Sequence, residues 1–258
     1  MINQKGGVGK TTTVINLATA LSFHKKKVLV IDLDPQGNAT TGLGLSNIEN
    51  AKTIYDVLNG NLNFEDTIKD TKIENLKLVS SNVDLSGLEV ETAAENRRAF
   101  LLKDKIESFI NSSKNDFSYI FIDCPPSLSL LTVMSLVAAK SLIVPLQAEF
   151  FALEGLSQLM KTIDRVKMKL NPQLQIRGIL LTMFDRRNKL STEVDVEARK
   201  VFNEKVYKTV IPRNVRLSEA PSHGIPVLIY DKLCAGSKSY SSFADEFLKQ
   251  ENIMESAA

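Results

Sequence analysis

Gln4-Lys5-Gly6-Gly7-Val8-Gly9-Lys10-Thr11-Thr12, close to the start of the chain, is the stretch on which the fold turns. Three glycines in four positions let consecutive backbone N–H groups close around phosphate oxygens, helped by the N-terminus of a following helix. The ending Gly9-Lys10-Thr11 is that of a Walker A loop, and a helical pattern follows it over residues 11–23. The loop is a variant, because Gln4 stands where the motif has its usual first glycine. The spacing assigns Lys10 to the β- and γ-phosphates and the Thr11 hydroxyl to Mg²⁺. A merely flexible glycine turn would not need Lys and Thr at these two places.

Working outward, short Val/Ile/Leu-rich runs alternate with helix-like stretches. Strands are predicted at Val28–Asp32, Leu76–Val79, Tyr119–Asp123, 141–146, 176–182 and 206–211. Helices are predicted over 11–23, 96–110, 129–139, 153–170, 192–203 and 237–250. Such alternation implies an α/β fold, a mostly parallel sheet with helices on both faces. No repeat, low-complexity tract or linker divides the chain, so residues 1–258 are read as one domain. Ligands of such sheets sit beyond the carboxyl ends of the strands, where the motifs fall.

Composition narrows the class further. Of 258 residues 43% are hydrophobic and 24% charged, which excludes a disordered or fibrous chain. No apolar run approaches the ~18 residues of a membrane span. The polar, glycine-rich first ten residues do not have a secretory pattern, and Cys124 and Cys234 are too few for a disulfide framework. A cytoplasmic protein is expected.

Two acidic turns follow two of the strands. The first is Asp32-Leu-Asp-Pro-Gln-Gly-Asn38, a good turn in its own right. Beside a phosphate loop, a carboxylate here suits the positioning of water against a γ-phosphate. The second is Asp123-Cys-Pro-Pro-Ser127, an acid ending an apolar strand, the Walker B arrangement that holds the Mg²⁺ shell. The net charge of +2, from 32 Lys+Arg and 30 Asp+Glu, hides an asymmetry. Residues 161–216 carry 14 basic and 6 acidic side chains, a net of +8. Such a segment makes either a surface that attracts polyanions or ordinary solvated helix faces.

The Lys5-to-Thr12 match, with a second lysine early in the loop, resembles the ParA/MinD family of deviant Walker A P-loop ATPases. Farther on, residues 143–156 read Ile-Val-Pro-Leu-Gln-Ala-Glu-Phe-Phe-Ala-Leu-Glu-Gly-Leu. Residues 181–185 read Leu-Thr-Met-Phe-Asp, and 211–224 read Ile-Pro-Arg-Asn-Val-Arg-Leu-Ser-Glu-Ala-Pro-Ser-His-Gly. These resemble the ParA/Soj branch over essentially the whole chain. The resemblance implies a P-loop NTPase fold, ATP and Mg²⁺ as cofactors, and an ATP-sandwiched homodimer. Lys5 would reach the partner subunit's ATP, with Lys10 and the water-orienting Asp34 completing the catalytic set and Asp32 supporting them. Gly6, Gly7, Val8, Gly9, Lys10, Thr11, Thr12 and Asp123 would bind the nucleotide phosphates and Mg²⁺, with Thr11 and Asp123 as the metal side. Met183, Pro212 and Arg213 would border the adenine. Arg187 and Arg216, both inside the +8 segment, match DNA-contacting positions, although either could be a surface ion-pair residue. The implied activity is chromosome or plasmid partitioning: non-specific DNA binding by the ATP dimer, release after hydrolysis stimulated by a ParB-like partner, and association with the nucleoid.

MinD-like membrane anchoring fits poorly, because residues 243–255 net −3 and an anchoring helix wants Lys and Arg. A nucleotide-gated adaptor that never uses DNA stays open. One departure stands out. The family has a strand before the phosphate loop, and here only Met1, Ile2 and Asn3 precede Gln4. The first strand is expected to be largely missing, either through a start codon lying upstream or in a damaged, inactive copy.

Overall fold

The computed structural model describes residues 1–45, 51–112 and 116–255. Among the described residues six strands form: β1 (Val28–Asp32), β2 (Ile68–Asp70), β3 (Leu76–Val79), β4 (Tyr119–Asp123), β5 (Ser141–Gln147) and β6 (Gln175–Thr182). One sheet has the order β2-β3-β1-β4 and a second pairs β5 with β6. All pairings are parallel except the three-residue edge strand β2, which runs antiparallel to β3. That short, half-exposed edge carries no periodicity to announce it.

The helices are α1 (Lys10–Phe23), α2 (Asn38–Gly42), α3 (Ile54–Leu58), α4 (Leu88–Glu91), α5 (Leu101–Asn111) and α6 (Leu130–Ala138). They continue with α7 (Ala152–Lys169), α8 (Lys189–Phe202), α9 (Val215–Glu219), α10 (Val227–Tyr230) and α11 (Ala235–Glu255). The expected 96–110 helix begins instead as a 3₁₀ turn over Arg98–Phe100 before α5. The helix expected over 192–203 starts earlier, because Asn188 accepts a hydrogen bond from the Leu190 N–H at 3.0 Å and caps it.

β1 explains why both faces are covered. Its five residues are all buried, and its side chains alternate between two cores. Val28 and Val30 pack with Val14, Leu17 and Leu21 of α1 and Phe243 of α11. Leu29 and Ile31 pack with Ile54, Val57, Leu102, Ile106 and Met134 on the other side. A third cluster sets β5 and β6 against α7 and α8.

Two expectations about strands meet the structure differently. Residues 1–3 form no strand, and they lie between the two sheets. The Met1 ammonium donates to the Ile122 carbonyl at 2.8 Å, Ile2 N–H to Ile143 O at 3.1 Å, and Asn3 Nδ2 to Pro145 O at 2.7 Å. The strand expected over 206–211 is corrected: only isolated bridges form, Val206 with Ile179 and Pro212 with Phe184. The chain does follow β6, since Tyr207 N–H reaches Ile179 O and Ile211 N–H reaches Leu181 O. Between them, the Lys208 and Thr209 N–H groups donate to the Glu246 carboxylate of α11 at 2.7 and 2.8 Å. A side chain from another element takes the donors that a continuous ladder would need. Gly178 permits this close crossing, because a Cβ there would stand 2.4 Å from the Tyr207 ring.

Candidate functional site

The loop before α1 turns through two left-handed residues, Gly7 (φ +74) and Gly9 (φ +87), the second being the helix N-cap. Lys5, Gly6 and Gly7 are exposed, and Val8 is buried. Two side chains hold the loop. Asn3 Oδ1 accepts from the Lys5 N–H at 3.0 Å, and the Thr182 hydroxyl at the end of β6 donates to the Val8 carbonyl at 2.8 Å. Lys10 is buried and its ammonium donates to the Lys5 carbonyl at 3.0 Å. Burial lowers its pKa, with Asp123, Cys124 and Asp34 pulling the other way. Thr11 and Thr12 follow on the first turn of α1, both half-buried.

The two acids ending β1 and β4 stand opposite each other, Asp32 in register with Asp123. Asp32 is fully occupied. Its carboxylate accepts from the Thr40 N–H at 2.8 Å, the Thr40 hydroxyl at 2.7 Å and the Asp34 N–H at 3.2 Å. It therefore braces the whole 32–40 turn. Asp34 is buried, and one of its oxygens accepts from the Gln36 N–H at 3.0 Å. Asp123 is fully buried, and neither of its oxygens has a hydrogen-bond partner among the described residues. Thr11 stands beside it and pulls its pKa down, but falls short of a complete hydrogen bond. Burial still raises Asp123 to about 6, with nearby Asp34 adding to the rise. Asp32 is raised to about 7, first by burial and then by Asp123.

An orphaned buried carboxylate is costly unless something comes to it. One carboxylate and one hydroxyl at the mouth of a phosphate-type loop fit a hard divalent cation such as Mg²⁺, which keeps several waters and takes phosphate oxygens. No group of three or more His, Cys, Asp or Glu side chains among the described residues makes a protein-only metal cage. Cys124 is buried with its pKa raised by that burial, and Cys234 lies apart, its sulfur accepting from Ser237 N–H.

Above the loop is a cavity of about 340 Å³, within the usual range of small-molecule sites. Its floor is Gly6, Gly7, Gly9, Lys10, Thr11 and Thr12, and Asp34, Asn38 and Pro126 flank it. Met183 lines it from the end of β6, held at a left-handed φ of +50. Pro212 and Arg213 do not line it. They pair with Phe184 instead: Pro212 bridges it, and the Arg213 N–H donates to Phe184 O at 3.1 Å. The apolar wall comes from Leu217, Ala220, Pro221, Ile225, Pro226 and Val227, which sequence reasoning did not select. Asn16 of α1 fixes that wall by accepting from the Val227 N–H at 2.9 Å. The signal was present as an apolar, proline-bearing run after residue 216, but nothing local ties it to α1. A larger polar cleft of about 780 Å³, lined by residues 35–37, Thr40 and Thr41, shares Thr41 with this cavity but includes none of residues 4–12.

The remaining candidates lie outside the cavity, each already engaged. Lys5 forms an ion pair with Glu149. Arg187 grips Asp185 with two nitrogens, at 3.1 and 3.0 Å. Arg216 bonds Glu219 at 2.7 Å and approaches Asp231 at 3.5 Å.

A family model described as an AAA domain matches residues 1–176. The chromosome partitioning protein ParA of Caulobacter vibrioides is 51% identical over 256 residues, covering 99% of this chain and 95% of that protein. The sporulation initiation inhibitor protein Soj of Bacillus subtilis is 48% identical, covering 95% of each. Among solved structures, cobyrinic acid a,c-diamide synthase from Mycobacterium smegmatis with bound ADP and magnesium superposes with a TM-score of 0.82 at 33% identity. It covers 97% of this chain and 93% of that one.

Proposed function

The chain belongs to the ParA/Soj family of chromosome-partitioning proteins, and from that premise we propose that it is a Mg²⁺-dependent ATPase whose ATP-bound homodimer binds DNA non-specifically. The observation that carries the ATPase is Asp123, buried and unpartnered at the end of β4 beside Thr11 and Lys10. Residues 1–258 act as one unit in this reading, which the single core cluster containing both Met1 and Phe247 supports.

The residues divide the work. The Gly6-to-Gly9 amides and the N-terminus of α1 cradle the phosphates. Lys10 exchanges the Lys5 carbonyl for phosphate oxygens at little cost in desolvation, being buried already. Held by Thr11 and Asp123, Mg²⁺ would neutralise phosphate charge and polarise the γ-phosphate. Asp34 orients the attacking water, and Asp32 fixes Asp34 through its N–H. The adenine would lie against Met183 and the 217–227 wall, with Pro212 and Arg213 behind. Lys5 would leave Glu149 for the partner subunit's nucleotide. Arg187 and Arg216 would then contact DNA phosphates, and hydrolysis stimulated by a ParB-like protein would end the cycle. Among the described residues no helix is long and apolar enough to cross a membrane. The reading places the protein in the cytoplasm on the nucleoid.

The test is binding to non-specific duplex DNA at fixed salt, with ADP and with ATP, using Asp34→Ala to hold the ATP state. Binding that needs ATP and is lost in Arg216→Glu is expected. Folded protein that binds ATP but no DNA in either state would overturn the DNA step and leave a nucleotide-gated adaptor.

A further inference from the structure

Phe150 and Phe151 stand at the start of α7, 73% and 68% exposed. Their rings meet each other edge to face, centroids 5.0 Å apart and planes at 86°. The helix that follows buries a regular stripe, Ala152, Leu156, Leu159, Ile163 and Val166, so the two phenylalanines lie off the side that builds the core. Two adjacent aromatic rings in water are costly to maintain without a use, because each offers about 150–250 Å² for burial.

Their position is fixed from the nucleotide site. Thr182 links both sides: its hydroxyl holds Val8 O, and its carbonyl accepts from the Ala148 N–H at 3.3 Å. Glu149, next in the chain, pairs with Lys5. Gln4 Nε2 reaches the Thr162 hydroxyl of α7 at 3.5 Å. On the other flank of the loop, Pro126 lies where a Gly6 Cβ would meet it at 3.8 Å, and Leu128 just beyond is 49% exposed. The exposed part of the phosphate loop is thus bordered by apolar side chains on two sides.

We infer that Phe150 and Phe151 are the apolar anchor of the contact between two copies of this chain, meeting across the phosphate loops. The inference rests on the proposed ATP-dependent dimer and adds which residues hold it together. Two observations favour a second copy over other occupants. The chain places Glu149 and Glu154 next to the rings and the ion pair brings Lys5 to Glu149, a local set without the basic excess that draws a protein to anionic lipid. One positive and two negative side chains next to an apolar knob are also able to face their own copy with opposite charges in contact. A two-fold contact sets each patch against its own copy, so the Lys5 that crosses to the partner's nucleotide enters the place beside the acid that the partner's own Lys5 has left. Aromatic residues at the centre of a small interface carry a large share of its affinity.

The experiment compares Asp34→Ala with the same chain also carrying F150S and F151S, in ATP and Mg²⁺, by sedimentation velocity across a concentration series. A fluorescent ATP analogue is titrated into both. The serine variant is expected to dimerise about 30-fold more weakly or worse, with analogue affinity kept within about 2-fold. F150L with F151L retains apolar area and should stay within about 5-fold of the parent. Unchanged dimerisation of the serine variant overturns the inference while leaving the dimer reading intact. If dimerisation is unchanged but co-sedimentation with phosphatidylglycerol vesicles falls, the pair serves a membrane and the inference is equally overturned. Failure of the Asp34→Ala parent itself to dimerise overturns the dimer reading, and this inference with it.

Discussion

Asp123 is fully buried with both oxygens unpartnered, whereas the Arg187 side chain is 90% exposed and already clamps Asp185. The two belong to regions with opposite electrostatics. At the cavity floor and the strand ends beneath it, charges have been taken out of water and left incomplete: Lys10 leans on a carbonyl, and Asp32 and Asp123 face each other across adjacent strands. On the arginine side, charges stay in water and are locally balanced by Asp185, Glu219 and Asp231. The first region stores a demand that a ligand must meet, and the second sets up a competition that a ligand must win. Effects in the first should be large and weakly screened by salt; in the second, small and strongly screened.

The largest expected effect is therefore Lys10→Ala. It removes the buried cation of the loop, and if that cation serves the phosphates as proposed, nucleotide affinity or turnover should fall by about 100-fold or more. Titration of a fluorescent ATP analogue and a phosphate-release assay measure it. If the loss is only a few-fold and vanishes in high salt, the cavity behaves like the surface and the contrast fails.

A second prediction concerns pH. Folding raises the pKa of Asp32 to about 7 and of Asp123 to about 6, from an ordinary value of 3.8. The folded chain thus binds these protons more tightly than the unfolded one. The stability they contribute is complete below about pH 4 and is lost as pH rises through the folded values. Asp123→Asn keeps the shape without the charge. Without nucleotide, it should melt higher than the parent at pH 8, by about 3 °C or more, with the advantage shrinking toward pH 5. The same variant should lose the stabilisation that Mg²⁺ and ATP give the parent. Thermal melts at both pH values, with and without ligand, read out both halves.

What the sequence reveals follows the range of the interactions. The phosphate loop and the acids of β1 and β4 were legible because each is set by neighbours in the chain: glycines before Lys10, an apolar run before Asp32 and before Asp123. Both arginine pairs were also within reach, since Asp185 precedes Arg187 by two positions and Glu219 follows Arg216 by three. The failures are long-range. Glu246 interrupts the 206–211 ladder from α11, Asn16 of α1 sets the 217–227 wall, and Glu149 holds Lys5 from the far side of the chain. In each case a side chain from a distant element captured a group whose local pattern allowed another arrangement.

The smallest expected effect probes the surface half of the contrast. If Asp185 and Glu219 compete with DNA phosphate for Arg187 and Arg216, then Asp185→Asn and Glu219→Gln should each tighten DNA binding, by about 1.4- to 5-fold at low salt. Each arginine must otherwise give up a carboxylate to take a phosphate, and the substitutions remove that exchange. Arg187→Glu or Arg216→Glu should act in reverse and flatten the dependence of log K on log salt by about one. Net charge alone would also favour DNA, so Glu204→Gln is the control. It removes an equal charge from within the basic segment, and Glu204 is in neither arginine's ion pairs. A gain for Asp185→Asn and Glu219→Gln that exceeds the gain for Glu204→Gln marks true competition at the pairs. Equal gains for all three would mean that the arginines are not held back, and that the surface acts only through its summed field.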